Sequence, residues 1–127
     1  MQAHTRALVA ASAYAAITGK PVAGLFDHAA NEQLRIAVEC RGMRLQGVDG
    51  DRSAAFGGEL PELFDHGDKA FVSLEVDGAK ARGYDRGSQG HYVAEVADRL
   101  IQLSDYGAGA WFAFEVLAFN DEGVAGR

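Results

Sequence analysis

The sequence predicts a mainly β chain of antiparallel hairpins, about 20 residues each, set around a pseudo-symmetry axis and preceded by one helix. Three observations predict it. Apolar residues recur at every second position in several stretches: Leu34, Ile36, Val38 and Cys40; Val72, Leu74 and Val76; Phe112, Phe114 and Val116. A period of two is the mark of a strand with one buried face. A phrase also returns every 20 residues, at Asp65, Asp85 and Asp105, and each aspartate is followed ten residues later by Glu75, Glu95 or Glu115. The same frame takes in Asp49 with Glu59 and, with two residues inserted, Asp27 with Glu39. Five units result, and self-similarity at such a period marks units that bury their apolar faces against one another. Tight connectors separate the strands at Arg41-Gly42, Asp77-Gly78 and Ala97-Asp98.

Residues 3–18 read as the helix, because alanine dominates, with Leu8 and Arg6 also good helix formers, and alanine loses no side-chain entropy on ordering. Thr5 is the expected N-cap, Gly19 a left-handed stop, and Pro21 bars continuation. A helix this rich in alanine packs closely, on its own sheet or on a second copy of itself.

Asp77-Gly78 suits a two-residue type I′ turn, in which both central residues take positive φ. That turn pairs Val76 with Ala79, Glu75 with Lys80, Ser73 with Arg82 and Phe71 with Tyr84, and turns Val72 and Leu74 inward with Ala81 and Gly83. The same arithmetic sets Glu39 against Arg44, Val38 beside Leu45, and Glu95 against Leu100. Each strand that follows a tight turn ends in an aspartate, which caps the next turn by accepting backbone N–H bonds two residues on. The second unit is the weakest, since 49–59 is poor in strand formers and Asp65 follows Glu59 by only six positions where the others have ten. Pro61 in that link suits an edge or a corner. No linker divides the chain, so 1–127 reads as one domain, with its body at 20–118 and a polar tail at 120–127 expected to fray.

The phrase of an aromatic before aspartate, a glycine soon after, a strand, a tight turn and a strand back resembles the small bacterial domains called the four-fold β-flower. Its carriers are Phe26-Asp27, Phe64-Asp65-His-Gly67, Tyr84-Asp85-Arg-Gly87 and Asp105-Tyr-Gly107. The likeness spans about residues 20 to 118, and YD-type shell repeats and MORN repeats share the phrasing. The chain departs from the family in having five units, one degenerate, and an added helix. The resemblance implies hairpins around an axis, and it transfers no activity and no functional residue.

A formal charge of −6 and a pI near 5.1 offer no basic surface to phosphates, which argues against nucleic acid as a partner. No stretch reaches the 18 or more apolar residues of a membrane span. Arg6 and the apolar residues after it only faintly resemble a secretory signal, interrupted by Ser12 and Tyr14, so a cytoplasmic protein is expected. Cys40, the single cysteine, sits on a strand pattern and reads as core.

The most suggestive chemistry is a doubled Phe-Asp-His, at Asp27-His28 and Asp65-His66, with His91 as a third imidazole. Loops that converged would let these residues bind a small molecule or a divalent ion. Against that stand the absence of a metal motif and the habit of turn histidines to face solvent, so no metal ligand and no cofactor are assigned. The aspartate ladder reads as turn caps and the glutamate ladder as the solvent face of the strands. No serine lies in a nucleophile elbow and Cys40 has no activating neighbour in sequence, so no catalytic residue is named. Strand 111–119 differs in being apolar on both faces, through Trp111, Phe112, Leu117 and Phe119. Either the helix or another subunit must cover such a strand. The expectation is a non-enzymatic, self-associating interaction or scaffold module; the competing one is a binding protein with its site at His28, His66 and His91.

Overall fold

The computed structural model describes residues 1–117. The tail at 120–127 and Phe119 lie outside the described residues. Helix α1 (Ala3–Thr18) is followed by β1 (Val22–Asp27), β2 (Glu32–Arg41), β3 (Arg44–Asp49), β4 (Ala54–Glu59), β5 (Glu62–Asp65), β6 (Ala70–Ser73), β7 (Glu75–Asp77), β8 (Lys80–Asp85), β9 (Gly90–Ala97), β10 (Leu100–Asp105) and β11 (Ala110–Val116). Neighbours in sequence pair antiparallel except β6 and β7, which both pair with β8, and β1 pairs with β11. Counting β6 and β7 as one strand broken at Leu74, the sheet closes into a ten-stranded barrel.

Helix α1 runs inside that barrel. It touches β1 to β3 on one side and β7 to β11 on the other. From Ala7 to Ala15 every residue is at most 5% exposed, so the helix has no solvent face. A helix that is apolar and small all round belongs in an interior. Eight-stranded barrels are just filled by their own side chains, and a wider ring leaves room for a helix trimmed to alanine. Leu8, Val9 and Tyr14 then meet Leu25, Ile36, Leu45, Ile101 and Phe114 of the wall in one hydrophobic cluster. Of the two coverings the sequence allowed for the helix, its own sheet is the one realised.

The helix ends differ from expectation at one end only. Gly19 closes it in the left-handed conformation (φ 73°), its N–H bonded to Ala15. The N-cap is Gln2 rather than Thr5, which is buried within the first turn. A buried Thr5 is free to face the wall because the first turn is held by other means: its N–H and that of Arg6 both bond the Gln2 carbonyl.

The hairpin tips are shifted by one residue. Gly42-Met43, Gly78-Ala79 and Asp98-Arg99 form the two-residue loops, so Arg41 pairs with Arg44, Asp77 with Lys80 and Ala97 with Leu100. Glu39 therefore faces Gln46 instead of Arg44, Glu75 faces Arg82 instead of Lys80, and Glu95 faces Gln102 instead of Leu100. Phe71 pairs with Phe64 on the neighbouring strand. The cause is the turn type. Positive φ falls on the first central residue alone, at Gly42 (62°), Gly78 (64°) and Asp98 (54°), which is the type II′ pattern. Because the slip preserves the side-chain period, Val72, Leu74 and Ala81 still point inward.

Opposite these tips lies the aspartate rim. Each of the five aspartates ends a strand and opens a four-residue loop whose last residue is left-handed: Asn31, Ser53, Lys69, Gln89 and Gly109. In the stretch 49–59, poor in strand formers, β4 forms because Phe56 is buried and its ring lies over Gly47 of β3.

Candidate functional site

The aspartate rim gathers most of the buried charge. Asp27, Asp49, Asp65, Asp85 and Asp105 are all at most 8% exposed. In each, Oδ1 accepts a backbone N–H two or three residues on: Ala29, Asp51, Gly67, Gly87 and Ala108, at 2.9–3.2 Å. The cap is the same in all five, and what the other oxygen meets differs. Asp85 Oδ2 accepts from the Ser88 hydroxyl at 2.7 Å. Asp105 Oδ2 meets the Met1 ammonium at 3.0 Å and the Arg6 guanidinium at 3.3 Å. Burial pushes the Asp105 carboxyl up, but the ammonium and the Ala108 N–H, with Arg6, outweigh it and hold its pKa below the ordinary carboxylate value.

Arg52 serves two turns at once. Its Nε donates to Asp49 Oδ2 at 2.7 Å, its terminal nitrogen to both Asp65 oxygens at 3.1–3.2 Å, and it lies 3.6 Å from Asp68. Burial opposes the guanidinium charge, and the hydrogen bonds it donates to Asp49 and Asp65, followed by the charges of those carboxylates, raise the Arg52 pKa above its usual value. His4 Nε2 sits 2.7 Å from Asp68 Oδ2, tying the helix start to this loop. His4, Asp65 and Asp68 place ligand-type atoms within 4.8 Å of one another. The Arg52 guanidinium already provides the cation for those carboxylates, so the set does not fit a metal ion.

The three histidines of the sequence reading are set apart. His28 follows β1, His66 follows β5 and His91 lies on β9, each separated from the others by two or more strands around the wall. Two intervening strands put them more than about 14 Å apart at the ordinary strand spacing. Each faces outward against an aromatic ring: Phe26 with His28, Phe64 with His66 and Tyr84 with His91, at centroid distances of 4.7–4.8 Å. His28 also meets Glu115 at 3.2 Å. Asp27 and Asp65, their sequence neighbours, point inward as caps. The glutamates of the ladder lie on the outer wall, exposed apart from the half-buried Glu115.

Strand β11 divides its apolar residues between two surroundings. Phe112, Phe114 and Val116 face the interior, with the Arg6 guanidinium 3.9 Å from the Phe112 ring centroid. Phe112 is therefore core and not outer surface. Leu117 lies half-buried against Gly24 of β1, to which its N–H is bonded. Trp111 is 62% exposed, as is Tyr106 just before it, and the two flank a hollow of about 320 Å³. A second, wider groove of about 680 Å³ lies over β2 to β4, with Ala37, Val48, Gly57 and His66 among its lining. Cys40 is half-buried where a fully buried position was expected, and burial still raises its thiol pKa.

Compared with known proteins, the chain matches no family model, no curated protein and no solved structure. The residues that sequence reasoning missed are Arg52, His4 and Tyr106. Arg52 carried a signal, since a basic residue in an acidic turn between two capping aspartates has carboxylates within reach. Tyr106 carried one too, as the only aromatic directly after a ladder aspartate. His4 carried none, because its partner Asp68 is 64 residues away.

Proposed function

We propose that this chain is a non-enzymatic β-repeat interaction or scaffold module that self-associates. The supporting observation is the filled lumen. Barrels that carry small molecules hold them inside, and here the inside is taken by α1, whose residues from Ala7 to Ala15 are at most 5% exposed. Function then falls to the outer wall and the loops, where Trp111 and Tyr106 stand out. The same proposal takes the five aspartate units as repeats of about 20 residues of the β-flower kind, and places the protein in the cytoplasm. Five equivalent caps support the repeat reading: the residue after each aspartate, at 28, 50, 66, 86 and 106, donates its N–H to the strand alongside.

The experiment is mass by light scattering against the 13.5 kDa of one chain. An assembly at micromolar concentration is expected, and a monomer there removes the proposal. The competing reading, a small-molecule or metal site at His28, His66 and His91, has no observation in its favour, since the three face separate parts of the outer wall. Metal analysis of untagged protein is expected to give a stoichiometry near zero.

A further inference from the structure

We infer that the uncharged surface made by loops 28–31 and 106–109 together with Trp111 is where a second copy of this chain binds, across a two-fold axis. The inference rests on the self-association reading and names the face that it uses. Trp111 and Tyr106 are the most exposed large apolar residues of the described chain, at 62% each. Among the described residues neither ring stacks on another, whereas the outer rings of Phe26, Phe64, Phe71 and Tyr84 all have partners.

Charge sets this face apart from the rest of the rim. Loop 28–31 is His-Ala-Ala-Asn, the run 106–114 has no charged residue, and Glu115 at the border of the face is half-buried and engaged by His28 at 3.2 Å. The other three rim loops carry Asp51 and Arg52, Asp68 and Lys69, or Arg86. The two uncharged loops are neighbours, because β1 pairs with β11 and the His28 N–H bonds the Ala113 carbonyl at 3.0 Å. The carboxylate beneath them, Asp105, is fully buried and faces the Met1 ammonium and Arg6. Interface cores are depleted of charge and concentrate tryptophan and tyrosine.

The partner follows from the same charge argument. At a net charge of −6, two copies repel in most orientations, and an uncharged face is where they approach at least electrostatic cost. Exposed Ala29, Ala30, Ala108 and Ala110 give a shallow shelf beside the two rings. A two-fold axis sets Trp111 of each copy on the shelf of the other, a self-complementary contact that closes at two.

Trp111 is the only tryptophan, so its fluorescence reports on this face directly. The expected result is a mass that rises with concentration toward twice 13.5 kDa, with Trp111 emission moving to shorter wavelength in step. Ala30→Glu should hold the protein at one copy with fixed emission, while Leu100→Glu, at the opposite rim, should associate as the wild type does. Association that leaves the emission unmoved and survives Ala30→Glu overturns this face and leaves self-association standing. Assembly beyond two copies overturns the two-fold closure. A single-copy mass at micromolar concentration overturns both the face and the reading it rests on.

Discussion

Ser12 and Asp105 show how differently a buried polar group can be treated within one fold. The Ser12 hydroxyl lies at 0% exposure in the middle of α1 with no hydrogen-bond partner among the described residues. An unsatisfied buried hydroxyl carries its full desolvation cost. Ser12→Ala should therefore raise stability by about 1 kcal/mol in urea unfolding. Asp105 is buried to the same degree but meets two cations and a backbone N–H. Asp105→Asn leaves the ammonium and Arg6 facing an uncharged amide and should cost about 3 kcal/mol, within the usual range for breaking a buried pair. Because the folded Asp105 has the lower pKa, the unfolded chain binds its proton first as pH falls. Its contribution is fully present above the ordinary carboxylate pKa of about 3.9 and is lost as pH drops through the lower folded value. Unfolding measured from pH 7 to pH 3 should show a shallower acid limb for Asp105→Asn than for the wild type. The capping role of all five aspartates was legible from spacing and composition. The charged partners were not, because Met1 and Arg6 reach Asp105 from the other end of the chain.

At the scale of strands, alternation located the strands and set most inward faces, but Val76, expected inward with Val72 and Leu74, is 43% exposed on β7 beyond the break, and the tips were displaced by one residue. Composition near Asp77-Gly78 fits glycine at either central position, and only the backbone dihedrals distinguish type I′ from type II′. The break between β6 and β7 was illegible for another reason: its repair is non-local. Ser73 interrupts the ladder, its hydroxyl accepting the Tyr84 N–H at 2.9 Å and its carbonyl accepting the Tyr92 hydroxyl at 2.7 Å. Burial, and then the charge of Asp85, push the Tyr92 phenol pKa well up, which keeps it a donor. Gly83 leaves the space for this seam, since a Cβ there would collide with the Ser73 carbonyl and lie 2.7 Å from the Tyr92 oxygen. Gly83→Ala should cost about 2 kcal/mol, typical of overpacking, and hydrogen exchange should rise first in β6 and β8.

For the molecule as a whole, the sequence announced hairpins and one helix, and it did not announce that the first surrounds the second. Closure depends on β1 meeting β11 and β6 meeting β8, and neither pairing leaves a mark in local periodicity. The one available signal was the lack of any polar face between Ala7 and Ala15, which suits a helix with walls on every side. Ala11, at 0% exposure, has no room to grow. Ala11→Leu should lower stability by about 1–3 kcal/mol or more, read as a fall in melting temperature. Closure also removes almost every free sheet edge. Among the described residues the stretch left over is β7, which is three residues long and carries Glu75 and Asp77, a short acidic edge that discourages edge-to-edge pairing.

An enclosed α1 has a consequence for the order of assembly. Each hairpin joins residues close in sequence and can form early, whereas β1 and β11 are joined across nearly the whole chain, so the ring shuts last. The ribosome nevertheless makes the helix before any strand. Until the final strand arrives, the nascent chain holds sixteen helical residues whose eventual shelter does not yet exist. Until β1 and β11 meet, the apolar sides of this helix lack the wall that later covers them.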